Sequence, residues 1–129
     1  MVAKDIMTKS VITATPLTPV KKLARILSEN NISGAPVVNQ KGRVLGIVSE
    51  ADIVGKSAKQ VKGIMSRNVI SVTEGTPVEE IATLLTTHRI KRVPVMRQGR
   101  LVGIVSRADI VRAIAMGKHI ALHTPIYDL

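Results

Sequence analysis

Gly103-Ile104-Val105-Ser106-Arg107-Ala108-Asp109-Ile110-Val111 occurs twice in this chain, its earlier copy being Gly46-Ile47-Val48-Ser49-Glu50-Ala51-Asp52-Ile53-Val54. Each copy is a short apolar run that passes through Ser-x-x-Asp into a second apolar run, the pattern of a strand that stops where a helix starts. Working outward from these corners, the chain falls into register with itself. Residues 4–40 align with 62–98 at an offset of 58; once Lys41 is dropped, 42–54 align with 99–111 at an offset of 57, and 25 of the 50 aligned positions are identical. Shared composition does not produce that much identity, so the chain is a tandem duplication.

Both copies read in the same order. A leading turn, Lys4-Asp5-Ile6-Met7 or Lys62-Gly63-Ile64-Met65, precedes a β-branched run, Val11-Ile12-Thr13 or Val69-Ile70-Ser71. Thr18-Pro19-Val20 and Thr76-Pro77-Val78 then predict helices with Thr as N-cap and Pro at the first helical position. Val20, Leu23, Ala24 and Leu27, and likewise Val78, Ile81, Ala82 and Leu85, recur at i, i+3, i+4 and i+7, one apolar stripe per helix. Two strands follow, residues 35–38 with 44–48 and 93–96 with 101–105, across the Gly-bearing turns Asn39-Gln40-Lys41-Gly42 and Arg97-Gln98-Gly99. The final helices begin at Ser49, stopping at Gly55, and at Ser106, running to about Met116 with Gly117 as C-cap. The organisation read from this is repeat one with its linker over 1–60, repeat two over 61–117, and a tail over 118–129 that has no counterpart. The fold class is α+β: two β-α-β-β-α units, each too small to cover its own sheet, packed about a pseudo-twofold axis around one core.

The totals bound the function. A chain of 129 residues can bury a core without staples, and with no Cys it has neither disulfides nor thiol chemistry. Apolar runs are too short to span a bilayer and the N-terminus lacks the apolar core of a secretion signal, so the expected setting is the cytoplasm, away from the membrane. Hydrophobic residues make up 45% of the chain and aromatics 1%, which leaves an aliphatic core and only Tyr127 to stack on a base. The net charge of +10 favours anionic partners and is shared about equally between the two halves.

Ser-x-x-Asp at a helix start is close to a capping box, in which Ser bonds the third helical N–H and the acid reaches back to the cap. The same corner presents unpaired N–H groups and the positive end of the helix dipole, the makings of an anion site. Two units of this order, each with x-x-Pro-Val in its middle and Gly-Ile-Val-Ser-x-x-Asp-Ile at its end, strongly resemble a tandem pair of cystathionine-β-synthase (CBS) domains over about residues 3–116.

The resemblance implies a module that binds adenosine-containing ligands, AMP, ADP or ATP with S-adenosylmethionine as a further option, in clefts between the repeats. It implies that Asp52 and Asp109 accept from ribose hydroxyls while Ser49 and Ser106 approach phosphate; a carboxylate is chemically suited to a cis-diol. Residues before the central Pro and in the first strand line the same clefts by resemblance: Ile12, Thr13, Gly34 and Ala35 in copy one, and Ile70, Lys91, Arg92 and Val93 in copy two. Copy two carries Lys91, Arg92 and Arg107 where copy one has Ser33, Gly34 and Glu50, so the second cleft is expected to bind phosphate more tightly. Adenine would sit between aliphatic side chains and backbone groups.

No nucleophile, base and orienter occur together and there is no Walker-type loop, so an enzyme is not expected. No metal or cofactor is expected either: His119 and His123 stand at i, i+4 but Pro125 follows at once, and His88 is remote in sequence. With no room for a fused enzyme or channel, the expected effector is a separate, unknown chain, and by resemblance the module is a homodimer. Two other readings stand beside this one: a nucleic-acid-binding protein, on the strength of its charge, and a dimerisation module whose clefts have lost their ligand.

Overall fold

The computed structural model describes residues 1–117. In chain order its elements are α1 (Ala3–Ile6), α2 (Val20–Asn30), β1 (Gly34–Val38), β2 (Val44–Ser49), α3 (Glu50–Gly55), a 3-10 turn (Val61–Gly63), β3 (Val72–Thr73), α4 (Val78–Thr87), β4 (Arg92–Arg97), β5 (Arg100–Ser106) and α5 (Arg107–Ala115). The duplication read from sequence is thus a duplication of structure, and the class is α+β, with one sheet ordered β1-β2 and the other β3-β4-β5.

The chain forms two compact units, and each draws on both repeats. Among the described residues, one unit comprises 11–70 with 98–101, the other 1–10, 71–97 and 102–117. In the first, Leu23 and Leu27 of the α2 stripe pack with Ala35, Val37 and Val48 of the hairpin, with Val61 of the 3-10 turn, and with Ile64 and Met65 of the leading turn of repeat two. In the second, Val78, Ile81 and Leu85 of α4 are buried, as are Val93, Val95 and Val105 of its sheet and Ala3 of α1, which belongs to the leading turn of repeat one. The leading turns have therefore changed places.

Glycine makes each exchange close. A Cβ on Gly46 would stand 2.6 Å from the backbone oxygen of Ser66 and 3.2 Å from Met65 Sδ. A Cβ on Gly103 would collide with Met7, approaching its Cγ at 2.8 Å. In both cases a short backbone bridge lies alongside, Ile47 with Ser66 and Ile104 with Thr8.

Two local expectations are corrected. The N-cap residues are Pro19 and Pro77, not the threonines: Pro19 carries extended backbone, and its carbonyl accepts from Leu23 N at 3.0 Å as Pro77's accepts from Ile81 N at 3.2 Å. Thr18 and Thr76 instead close the preceding turn, each Oγ1 accepting a backbone N–H at 3.0 Å, from Thr15 and Thr73. The first strands also sit later than the β-branched runs. Residues 11–13 form no strand; Ala14 alone bridges Val37, and the matching β3 pairs Val72 and Thr73 with Val95 and Met96. Proline sets the limit. In a parallel pair, Ala14 N donates to Pro36 O and Val38 N donates to Ala14 O, both under 3 Å; the next rung back would need an N–H on Pro36, which has none. Pro94 blocks the rung to Ile70 in the same way.

The hairpins differ by the one inserted residue. Gln98 and Gly99, both at positive φ, make a tight two-residue turn. In repeat one, Asn39 Oδ1 accepts from Lys41 N and Arg43 N to hold a longer loop, and the register slips between Val37 and Val38.

Candidate functional site

The corner of repeat two is built where β5 ends. Ser106 keeps extended backbone (φ −112, ψ 169) and caps α5, its Oγ accepting from Asp109 N at 3.3 Å. Asp109 Oδ2 returns two bonds, accepting from Ser106 N at 2.8 Å and from Ser106 Oγ at 3.1 Å. Its Oδ1 accepts from Arg112 Nη1 at 3.0 Å and from Thr8 Oγ1 at 3.3 Å. Asp109 is 5% exposed, the only buried charged side chain among the described residues.

The corner of repeat one copies this around α3. Asp52 Oδ2 accepts from Ser49 N at 2.9 Å and from Ser49 Oγ at 3.1 Å, and Asp52 N donates to Ser49 Oγ at 3.4 Å. Oδ1 pairs with Lys56 Nζ at 3.0 Å, and the same ammonium donates to Ile64 O at 3.0 Å. Lys56, read from sequence as linker, thus ties the corner to the leading turn of repeat two.

These caps leave less of the helix N-terminus open to an anion than the bare motif suggested. Of the four first-turn amides, the cap N–H goes to Asp109, that of Arg107 donates to Lys91 O at 3.1 Å, and that of Asp109 goes to Ser106. The amide of Ala108 is what remains. Phosphate at this corner would have to be held mainly by side-chain cations. Lys91 and Arg107 are exposed and Arg92 is half-buried, and Arg107 Nε reaches back to Ile90 O at 3.3 Å. Repeat one makes the same backbone bond, from Glu50 N to Ser33 O, but has Ser33, Gly34 and the acidic Glu50 at the positions of these cations.

Other expected site residues divide. Ala35 and Val93 are 1% and 0% exposed, so their side chains belong to the core. Ile12 and Thr13 are half-buried in the same unit as Ser49 and Asp52, with Gly34 buried beside them. Ile70 ends a stretch that belongs to repeat one's unit, apart from Ser106 and Asp109. His88 is an exposed C-cap of α4, while His119, His123 and Tyr127 lie outside the described residues. A groove of about 500 Å³ between α2 and α3, bordered by Leu27, Ile32, Ser33, Glu50 and Ile53, includes neither Ser49 nor Asp52. Among the described residues no helix is long and apolar enough to cross a membrane.

Sequence reasoning passed over Thr8, Arg112 and Lys56. Arg112 stands three residues after its aspartate within α5, and Lys56 four residues after its own at the C-cap of α3, spacings that predict contact. Thr8 is 101 residues from Asp109, and nothing local announces it.

A duplicated hairpin that ends each time on a capped Ser-x-x-Asp helix defines a tandem CBS-type module. The CBS domain model matches residues 3–59 and again 61–116, and the chain belongs to that family. It is 37% identical over 113 residues to L-aspartate semialdehyde sulfurtransferase of Methanocaldococcus jannaschii, covering 84% of this chain and 22% of that protein. Against inosine-5′-monophosphate dehydrogenase of the same organism it is 30% identical over 113 residues, covering 85% and 23%. The chain therefore spans less than a quarter of the length of these two enzymes. With the CBS domain-containing protein YhcV of Bacillus subtilis, at 31% identity over 114 residues, the match covers 83% and 81%. Among solved structures, the CBS domain pair of protein MJ0100 in complex with 5′-methylthioadenosine and S-adenosyl-L-methionine superposes with a TM-score of 0.84 at 35% identity, covering 92% of this chain and 98% of that one. CBSX2 in complex with AMP gives 0.86 at 27% identity, with the same coverage.

Proposed function

We propose that the chain is a regulatory module that binds an adenosine-containing ligand at its Ser-x-x-Asp corners, AMP, ADP or ATP in the first place and S-adenosylmethionine in the second, and passes occupancy on to a partner protein without catalysing a reaction. One observation carries this reading: the corner is built twice to the same pattern, each time setting a carboxylate at a capped helix start, in a family whose solved pairs include complexes with AMP and with S-adenosyl-L-methionine. Asp52 and Asp109 accept from ribose hydroxyls. Lys91, Arg92 and Arg107 attract phosphate at the second corner, which makes that corner the stronger site for a nucleotide; Ser49 and Ser106 serve chiefly as caps. Val54 and Val111 hold the same place in α3 and α5 and are 88% and 64% exposed, apolar positions that a second copy of the chain would cover. The working location is the cytoplasm.

The test is a calorimetric titration of the full chain with AMP, ATP and S-adenosylmethionine, beside duplex and single-stranded nucleic acid at two salt concentrations. The expected result is submillimolar binding of one of the small molecules that weakens when the ribose hydroxyls are removed. Polynucleotide binding that falls steeply with salt, without small-molecule binding, would establish the nucleic-acid reading that the +10 charge suggests. Neither kind of binding would leave the dimerisation module.

A further inference from the structure

A carboxylate has two oxygens and about four lone-pair positions. At Asp109 the chain's own donors take all four: Ser106 N and Ser106 Oγ on Oδ2, Thr8 Oγ1 and Arg112 Nη1 on Oδ1. Asp52 is filled less, with the two Ser49 donors on Oδ2 and only Lys56 Nζ on Oδ1. The difference lies in the sequence. Gly55 stands where Arg112 does, and Ser66, the counterpart of Thr8, makes no hydrogen bond to Asp52.

We infer that Thr8 and Arg112 compete with the hydroxyls of an adenosine ligand for Oδ1 of Asp109, and thereby set the affinity of the second corner and couple its occupancy to the N-terminal segment. The inference rests on the ribose role proposed for Asp109. The Ser106 donors are not the ones to yield, since they are the cap of α5 and displacing them opens the helix. The Oδ1 pair can yield. Arg112 is 63% exposed at its side chain, so its guanidinium returns to water at little cost, and Thr8 lies at an exposed position. A diol that forms charge-assisted bonds to Oδ1 must therefore break the bonds already there, and its net gain is small. Thr8 directly follows the leading turn of repeat one, while Asp109 belongs to repeat two. A ligand that displaces the Thr8 hydroxyl acts directly on the exchanged segment.

The experiment measures AMP and S-adenosylmethionine affinity by calorimetry on the full chain, in an Asp52→Asn background that isolates the second corner. Arg112→Met is expected to tighten binding about threefold, and Arg112→Met with Thr8→Val about tenfold, the scale of one exposed ion pair and one hydrogen bond. 2′,3′-Dideoxy-AMP, which has no hydroxyls to compete, is expected to bind every variant alike. A merely structural role for the two residues would lower thermal stability and affinity together, whereas competition raises affinity as stability falls. Affinity unchanged or weakened in both variants overturns the inference, as does an equal gain for the dideoxy ligand. If neither ligand binds the parent chain or any variant, the ribose role of Asp109 falls first, an outcome distinct from binding that the variants leave unmoved.

Discussion

Asp52 and Asp109 make the same cap in different surroundings, and the difference can be measured as stability. Removing the Asp109 carboxyl, which is 5% exposed, leaves the N–H and hydroxyl of Ser106 unpaired and takes away the Oδ1 bonds of Thr8 and Arg112, which turn to water. Unpaired buried donors cost about 1 to 3 kcal/mol in proteins. Asp52 is more open, at 16% side-chain exposure, and its lysine returns to water. Asp109→Ala should therefore cost about 3 kcal/mol in urea unfolding and Asp52→Ala about 1 kcal/mol, the latter close to the loss of an ordinary cap. Equal costs would show that the Oδ1 donors of Asp109 contribute nothing to the fold. Asp109→Asn keeps an acceptor for the cap and is the variant on which to measure ligand binding. The caps themselves were readable from sequence because a Ser and an Asp three apart at a strand end suffice to form them. What fills Oδ1 was not, because the Thr8 bond depends on where a segment from the other repeat comes to rest.

Helices, hairpins and turns followed from spacing wherever a single element decides its own form. The α2 and α4 stripes, the Gly-bearing hairpins and the Ser-capped helices lie where the pattern places them. The expectations that moved are those in which two elements meet. The β-branched runs at 11–13 and 69–71 have strand propensity, yet the ladder they would join is interrupted by a proline on the neighbouring strand. The leading turns meet the hairpins through Gly46 and Gly103, and the two contacts are not equally forgiving. At Gly46 an added methyl meets the backbone oxygen of Ser66, fixed by its bridge to Ile47; at Gly103 it meets the flexible side chain of Met7. Gly46→Ala should cost about 3 kcal/mol and Gly103→Ala about 1 kcal/mol, the upper and lower ends of the range for overpacking a core. Chemical denaturation of the two variants checks the order, which would be reversed if the thioether were the more rigid neighbour.

At the scale of the molecule, a repeat in sequence and a compact unit in space are different things. Met7 and Met65 occupy equivalent places, as do Gly46 and Gly103, so the sequence alone supports either pairing of leading turn with hairpin. The structure takes the crossed one, and this decides which pieces of the chain can stand alone. A fragment of residues 1–60 is cut at the sequence repeat and loses Val61, Ile64 and Met65, which are 0%, 1% and 8% exposed in the core around Leu23 and Leu27. Burying side chains of this size contributes about 1.5 to 3 kcal/mol each, so their removal exceeds what a small unit has to spare. The same fragment retains residues 1–10, whose partners Ile104, Thr76 and Glu74 are absent from it. A fragment of residues 11–70 keeps the core cluster intact, with the bridge of Pro19 to Gln60 and the paired backbone of Ile47 and Ser66. Prepared side by side, 11–70 should show dispersed amide resonances and a cooperative thermal transition, and 1–60 neither. If 1–60 proved the better folded of the two, the leading turns would have to pack within their own repeats, and the link from Thr8 to Asp109 would go with that change.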